Sequence, residues 1–311
     1  MLPRWKDLAE LVRAPAALSV PGDTVAGAAA AGTLGRDTPG LIASSVCLYW
    51  AGMAANDWAD RELDAVERPE RPLPSGRVSP EQALTVAVGL TAAGVGLAAL
   101  TGGRRATAFA VPLAAAVWAY DLRAKNTRGG PAMMATCRGL DVLLGASGGH
   151  WTRALPAALT VAAHTYAVTA LSRREVGGAD PLLPVATLAG TVGVAAAAAG
   201  GAGVVGRRPR SRKSPGNFRD LGAGRSGRRG IAGPLAASLA GMYAVRYGAA
   251  QARVVADPSA PRVRAAVGAG ITGLPLLQGA LAARAGACLA GLAVAVAAPL
   301  ARRLAKVVSP T

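Results

Sequence analysis

The chain has 311 residues, of which 52% are hydrophobic and 16% charged, and its mean hydropathy is +0.33. Apolar stretches of about 18 or more residues recur along it, as in membrane-spanning helices, so an ordinary soluble protein is excluded. The net charge of +17 indicates an anionic partner, which in a membrane protein is the lipid surface around basic cytosolic loops and not nucleic acid.

The apolar stretches predict an all-α, polytopic bundle of nine or ten transmembrane helices around a central cavity, with residues 1–311 as a single domain. The predicted spans lie at about 17–35, 38–56, 82–102, 105–121, 131–149, 154–172, 182–205, 231–251 and, as one or two passes, 264–303. Ser79, Pro80 and Gln82 predict a capped helix start before the third span. Basic residues concentrate in the N-terminal segment and in the loops after the second, fourth and sixth spans. This bias predicts an integral protein of a bacterial cell membrane with the N-terminus and these loops in the cytosol.

The first span contains Asp23, in the sequence S-V-P-G-D-T. A carboxylate inside a membrane is costly, and such residues commonly have a function. Alternatively, Pro21 and Gly22 unwind the helix here and Asp23 caps the broken turn. The sequence leaves both interpretations open.

The second span leads into residues 56–76, which read N-D-W-A-D-R-E-L-D-A-V-E-R-P-E-R-P-L-P-S-G. Six of the seventeen acidic residues of the chain lie here, between positions 57 and 70. On a helix, Asn56, Asp60 and Asp64 share one face because they are four residues apart, and Asp57 lies about 100° round from Asn56. Oxygen ligands at one-turn spacing suit Mg²⁺, which takes one or two carboxylates, several waters and substrate phosphates.

Three arginines, Arg68, Arg71 and Arg77, follow these acids directly. Guanidinium groups match the geometry of phosphate oxygens, so the combination indicates a metal-bound diphosphate on an apolar substrate. The alternative is a solvated acidic face, which is common in acid-rich helices. The register of the asparagine with the aspartates and the R-P-E-R-P-L-P-S-G sequence favour the site.

The pattern N-D-x-x-D-x-x-x-D followed by R-x-x-R-P-L-x-S-G resembles the first aspartate-rich motif of the UbiA superfamily, the intramembrane prenyltransferases. The resemblance runs without a gap over residues 56–76, and it implies a cytosolic loop that binds Mg²⁺ and the diphosphate of a prenyl donor. By this resemblance Asn56, Asp57 and Asp60 lie beside the metal, Asp64 is a further ligand or supports one, and Arg71 contacts the diphosphate. The three aspartates are the catalytic candidates. The candidates to contact the donor are Asn56, Arg68 and Arg71.

A second resemblance lies between the fourth and fifth spans, where residues 120–131 read Y-D-L-R-A-K-N-T-R-G-G-P. The equivalent loop of UbiA enzymes commonly has a tyrosine followed by a lysine, a threonine and a proline. The resemblance implies that Lys125 is a catalytic point charge, that Arg128 contacts the diphosphate and that Tyr120 lies beside the substrate. Otherwise the two basic residues are ordinary members of a cytosolic loop.

Two later spans contain polar residues whose roles the sequence does not decide. In the fifth span, Arg138 and Asp141 are three residues apart and could pair within the bundle, either for structure alone or to hold Arg138 toward the substrate cavity. In the sixth span, His164 is expected to be a core residue, with a role as base as the alternative. Tyr166 is a candidate to contact the substrate and shield a carbocation.

The sixth span ends in S-R-R-E-V-G-G-A-D, residues 172–180, where the UbiA family has a second motif, D-x-x-x-D. The sequence departs from that pattern, which puts a second Mg²⁺ held by two aspartates in doubt. One interpretation is that Arg173 and Arg174 neutralise the diphosphate directly, with Glu175 as a metal ligand. The other is a degenerate site of weak or absent activity.

Residues 207–230 form an unusual basic segment, with nine Lys or Arg and one Asp up to position 229. Its Gly, Ser and Pro content predicts a disordered insertion that adheres to anionic lipid headgroups. In the topology above it falls on the outer face, which leaves it as an exception to the charge bias.

Together these patterns predict Mg²⁺-dependent transfer of a prenyl group from a polyprenyl diphosphate to a small acceptor, through ionisation of the diphosphate and capture of the carbocation. The S-R-R-E and Y-D-L-R-A-K-N-T sequences resemble those of the bacterial EboC-like branch of the superfamily. Two other functions stay open: a UbiA-type terpene cyclase, and a degenerate membrane scaffold without turnover. The sequence does not give the prenyl chain length, the acceptor or the oligomeric state.

Overall fold

A computed structural model describes residues 3–14, 17, 20–180, 182–200 and 223–297 of the chain. Within these residues there is no strand, which confirms the all-α class. The helices are α1 (Trp5–Leu11), α2 (Pro21–Ala31), α3 (Thr38–Ala59), α4 (Arg61–Glu67), α5 (Pro80–Ala119), α6 (Gly130–Gly145), α7 (Leu155–Ser172), α8 (Leu182–Ala199), α9 (Ala223–Tyr243), α10 (Ala249–Ala256), α11 (Ala260–Arg284) and α12 (Cys288–Ala297).

Several of these helices are long and apolar enough to cross a membrane. Among the described residues, four stretches meet that criterion by length and composition: Pro80–Ala124, Trp151–Ser172, Leu182–Ala199 and Ala260–Arg284. The protein is therefore an integral membrane protein. The number of nine or ten spans stays a prediction, because four stretches of the described residues meet the criterion.

The long helix α5 contains two antiparallel passes. Its backbone is non-helical at Gly103, where φ is +60°, a value that glycine adopts without steric cost. The chain reverses there, and Trp118 Nε1 of the second pass donates a hydrogen bond to Thr91 Oγ1 of the first at 3.0 Å. The predicted spans 82–102 and 105–121 match these two passes. The predicted capping box is also present, since Ser79 Oγ accepts from the Gln82 amide while Gln82 Oε1 accepts from the Ser79 amide.

The first predicted span, 17–35, is wrong in its extent, because α2 has only 11 residues. Pro21 occupies its first turn, and it ends at Gly32 in the left-handed region, with φ of +72°. Gly27 of α2 and Gly145 of α6 let the two helices touch, since a side chain on either would collide with a backbone carbonyl of the other helix. This close crossing fixes the middle of α2 against the C-terminal end of α6.

The helices pack around two main apolar clusters. One lies between α7, α8, α9 and α11, and the other between α3, α5 and α6. In the first, His164 Nδ1 and the Tyr243 hydroxyl are 2.8 Å apart, and the imidazole stacks edge-on against Tyr243 and Tyr247. His164 is thus a satisfied core residue, as the sequence indicated. A cavity opens between α3, α5 and α6, closed on its far side by α7 and α11.

Most of the basic segment at 207–230 lies outside the described residues. Residues 223–230 form the first turns of α9, and the disordered insertion at 207–230 stays a prediction. Arg246, which follows α9, is exposed and does not line the cavity.

Candidate functional site

The aspartate-rich stretch lies where α3 ends and α4 begins. The sequence placed Asn56, Asp60 and Asp64 on one face of a continuous helix, but α3 ends at Ala59 and α4 starts at Arg61. Asp60 lies between the two helices, and its Oδ2 accepts a hydrogen bond from Asn56 Nδ2 at 3.3 Å. The break turns α4 away from the axis of α3 and brings the arginines that follow it back toward the carboxylates.

Arg71 lies between two of these carboxylates. Its Nη1 is 2.6 Å from Asp64 Oδ2 and 3.5 Å from Asp57 Oδ1, and both aspartates are buried. Arg68 adds a longer contact of 3.8 Å to Asp64 Oδ1. A single guanidinium nitrogen therefore occupies the space between the two carboxyl groups.

Lys125, from the loop after α5, lies between Asn56 and Asp60. Its Nζ is 2.6 Å from Asp60 Oδ1 and 3.3 Å from Asn56 Oδ1. The two motifs, 69 residues apart between Asn56 and Lys125, thus meet at one point. Ammonium and guanidinium groups hold the oxygens of the cluster in two adjacent cation positions.

The cluster stands at the mouth of a cavity of about 480 Å³. Apolar side chains such as Leu48, Met53 and Val117 form most of its wall, and Tyr49 and Tyr120 are the aromatic residues among its lining. Asn56 and Arg13 lie at the mouth, while Ser45, Arg138 and Asp141 lie deeper. Because α3 rises about 1.5 Å per residue, Ser45 is roughly 16 Å below Asn56. The site combines a charged mouth with an apolar interior.

The N-terminal segment covers this mouth. Arg77 contacts Asp7 Oδ1 at 2.9 Å and Glu10 Oε2 at 2.6 Å, which joins α1 to the end of the aspartate-rich stretch. The Arg77 guanidinium lowers the pKa of Asp7 below its ordinary value. Beyond α1, Arg13 adopts a positive φ of +48° and its Nη2 reaches Asp57 Oδ1 at 2.7 Å.

The second motif does not join the cluster. Arg173 Nη1 and Nη2 donate to the backbone carbonyls of Thr127 and Asn126, so Arg173 supports the loop that carries Lys125. Arg174 is exposed and pairs with Asp180 at 3.5 Å. Glu175 makes no contact with the carboxylates of the mouth, and burial raises its pKa. Its assignment as a metal ligand stays a prediction that no contact of the described residues supports.

Three other predicted residues have different surroundings. Arg128 is exposed, with no ion pair among the described residues, and Tyr166 is 51% exposed and does not line the cavity. Arg138 does not pair with Asp141: its Nε is 2.8 Å from Asp23 Oδ2, and Asp141 Oδ1 accepts instead from Ser45 Oγ at 2.6 Å.

Asp23 does not cap a broken turn of α2, which was one of its two interpretations from the sequence. Its side chain is fully buried, and besides Arg138 its other oxygen accepts from Gln278 Nε2 at 2.7 Å. Both interpretations of Asp23 in the sequence missed this partner on α11, because the contact joins positions 255 residues apart.

Two residues at the site were not assigned from the sequence. Arg13 was counted only among the basic residues of the N-terminal segment, although it is the one nearest to the first apolar run. Asp121 follows Tyr120 directly and is buried in the cavity wall. An acid that interrupts the end of an apolar span was the available signal for Asp121.

The fold is similar to that of two solved structures. The solved structure titled "Structural and mechanistic insights into the biosynthesis of Digeranylgeranylglyceryl phosphate synthase in membranes" superposes with a TM-score of 0.63 at 15% identity, covering 90% of this chain and 98% of that one. A UbiA homolog from Aeropyrum pernix K1 gives a TM-score of 0.58 at 17% identity, with 85% and 96% covered. At these identities the comparison shows the fold alone.

The sequence comparison adds the family. The profile of the UbiA prenyltransferase family matches residues 21–175, and the chain belongs to this family. Digeranylgeranylglyceryl phosphate synthase of Methanopyrus kandleri is 41% identical over 108 residues, which are 35% of this chain and 38% of that protein. The bacteriochlorophyll synthase 33 kDa chain of Cereibacter sphaeroides is 35% identical over 115 residues, 35% and 37% of the two chains. The chain thus spans less than two fifths of the length of these relatives.

Proposed function

We propose that the protein transfers a prenyl group from a polyprenyl diphosphate to a small acceptor, with Mg²⁺ at the mouth of the cavity. The observation that carries the proposal is the arrangement of cations among the carboxylates. Arg71 lies between Asp57 and Asp64, and Lys125 lies between Asn56 and Asp60. Oxygens that already hold two cationic groups side by side can also hold a divalent ion, and that ion together with the cationic groups can bind the anionic head of a donor.

The side chains at the mouth have the ligand atoms that suit Mg²⁺. Its members are carboxylate and amide oxygens, the hard ligands that this ion prefers. No group of three or more His, Cys, Asp or Glu side chains converges as a ready-made metal site within the described part of the chain. Mg²⁺ does not need one, since it commonly takes one or two carboxylates and completes its shell with water and phosphate oxygens.

When bound, Mg²⁺ would neutralise the charge that develops on the departing diphosphate. The chain's own residues provide the remaining functions. Arg71 and Lys125 are near enough to turn from the carboxylates to the diphosphate, as a planar fork and a point charge respectively. Leu48, Met53 and Val117 surround the prenyl chain and exclude water from the ionised allylic carbon.

The bias of basic residues favours a mouth on the cytosolic face of the cell membrane, where a water-soluble diphosphate head is accessible. The aromatic content of the cavity favours transfer over cyclisation. A cyclase shields a migrating carbocation along its path, and aromatic faces are well suited to this. Among the described residues that line the cavity, only Tyr49 and Tyr120 are aromatic. Prompt capture by an external acceptor needs less of this shielding.

The test uses the full chain in lipid nanodiscs with Mg²⁺ and labelled geranylgeranyl diphosphate, and it measures diphosphate release and prenylated products. Asp60→Asn is expected to lower release at least about 100-fold, the scale of losing one well-placed electrostatic contact to a developing charge. Glu62→Gln is the matched control, because Glu62 lies in the same stretch, is exposed and, among the residues that the structure describes, pairs with Arg61 alone.

EDTA should abolish release, and added Mg²⁺ should restore it. Release with a cyclic hydrocarbon as product would indicate a cyclase. Release by Asp60→Asn at the wild-type rate would refute the site, and no release by the wild-type protein would support a scaffold.

A further inference from the structure

Asp121 is a buried carboxyl group with no partner at contact distance. It lies in the turn that follows α5, is 4% exposed and lines the cavity. Asp57, Asp60 and Asp64 each have a cation within 3 Å, whereas Asp121 has no ion pair or hydrogen bond to any residue that the structure describes. Lys125, four residues further on, is directed to Asp60 instead.

The position of Asp121 is below the charged mouth. A Cβ atom on Gly52 would lie 3.4 Å from Asp121 Oδ2, so the carboxyl group packs against the α3 backbone at a residue without a side chain. Gly52 precedes Asn56 by four residues, which is about 6 Å along the helix axis. Asp121 thus faces the space one turn deeper than the oxygens of Asn56 and Asp60. A donor whose diphosphate binds at the mouth presents its first carbon in this space.

A buried carboxylate without a partner is costly, and a bound molecule can supply the missing hydrogen-bond donor. The hydrocarbon chain of the donor cannot do so, and its diphosphate carries charge of the same sign. The acceptor is the remaining molecule, and a hydroxyl group provides the required O–H.

The other charges of the cavity restrict the acceptor further. Arg13 and Arg138 are already paired, with Asp57 and Asp23. Asp141, 5% exposed, is a second lining carboxyl group without a cation at contact distance, and only Ser45 donates to it among the described residues. An acceptor with its own carboxylate or phosphate in the cavity would meet these two acids, while both guanidinium groups of the described wall already have a carboxylate partner, although Arg138 Nη2 itself has no hydrogen-bond partner among the described residues.

We propose that Asp121 binds the hydroxyl group of a neutral acceptor and takes its proton, an inference that rests on the proposed function. The allylic C–O bond of the donor breaks, and its electron pair leaves with the diphosphate. A lone pair of the acceptor oxygen forms the new C–O bond to the first prenyl carbon. The O–H proton passes to the Asp121 carboxylate and from there to water, so the products are a prenyl ether, diphosphate and one proton.

The experiment compares two acceptors of the same shape, neutral 4-hydroxybenzyl alcohol and anionic 4-hydroxybenzoate, with Mg²⁺ and geranylgeranyl diphosphate in nanodiscs. The wild-type protein is expected to prenylate an oxygen of the neutral compound at least about 10-fold faster. Asp121→Asn should bind the Mg²⁺–donor complex within about twofold of wild type, yet transfer at least about 100-fold more slowly, the usual range for loss of a positioned base. Asp257→Asn, at an exposed aspartate far along the chain, should change neither quantity.

Retained donor binding shows that the site of the Asp121→Asn variant is folded. If the variant loses both donor binding and helix content, measured by circular dichroism, the Asp121→Ser variant is used in its place. Wild-type transfer by the variant would overturn the inference. Loss of donor binding in a folded variant would also overturn it, because Asp121 would then belong to the diphosphate site. Preference for the anionic compound, or release without any ether, would reject the acceptor class. Absence of donor turnover in the wild-type protein would refute the proposed function itself.

Discussion

Removing Asp23 tests how the bundle tolerates charge in its interior. Asp23 is fully buried, Arg138 is 13% exposed, and their side chains meet at 2.8 Å. Asp23→Ala removes the carboxylate that the Arg138 guanidinium contacts and the hydrogen bond that Gln278 Nε2 donates to it. Truncating one member of a buried pair costs about 3–5 kcal/mol, and the second lost bond places this site in the upper part of that range.

The loss is measured as thermal unfolding of the purified protein in one detergent, where a change of that size corresponds to a fall in Tm on the order of 10 °C. The double variant Asp23→Leu with Arg138→Met should recover most of the stability, since apolar replacement of a whole buried pair is commonly neutral or better. Asp257→Ala, which removes the exposed partner of Arg262, should cost less than about 1 kcal/mol. Equal Tm values for Asp23→Ala and Asp257→Ala would refute the reasoning.

Two further substitutions test the geometry of the mouth. Gly52→Leu should lower diphosphate release at least about 10-fold without loss of helix content, because even a Cβ atom at this position would crowd the Val117 side chain of α5. Unchanged release would contradict the assignment of the cavity as the substrate site. Arg77→Ala should make α1 accessible to protease and hydrogen exchange, whereas Arg61→Ala should not. Because Arg77 lowers the pKa of Asp7, the contribution of this ion pair is complete above the ordinary value of 3.8 and is lost as the pH falls below it. In wild type, protection of α1 should therefore decrease only in acid, and a loss near neutral pH would contradict this account.

The class of fold and the charged part of the site could be predicted because their signals are local. Apolar runs of membrane length, the Ser79 capping box and the reversal near Gly103 are all properties of adjacent residues. Lys125 was found because a motif surrounds it, and the structure brings it to Asp60. The break of the helix at Asp60 was missed, since the spacing of the acids is equally compatible with one continuous helix.

The remaining features depend on contacts between distant segments. The partner of Arg138 could not be chosen from the sequence, because Asp141 on its own helix and Asp23 on another offer the same chemistry. Tertiary packing decided it: the close crossing of α2 and α6 brings Asp23 to Arg138, while Ser45 on α3 takes Asp141. For the same reason Glu175 was grouped with the metal site by its place in a motif, although the turn that carries it does not reach the mouth.

The pairing of charges also explains why a membrane protein can keep so many acids at the end of an apolar helix. Each carboxylate of the mouth is held by a basic residue from a different segment: Arg13 precedes α2, Arg71 follows α4 and Lys125 follows α5. The mouth is therefore close to neutral without any ligand, which limits the electrostatic cost of the folded state. Under the proposed function, a divalent ion that takes over the carboxylates releases these same cations toward the diphosphate. Binding would then exchange one set of ion pairs for another, and the two charged components would bind more tightly together than separately.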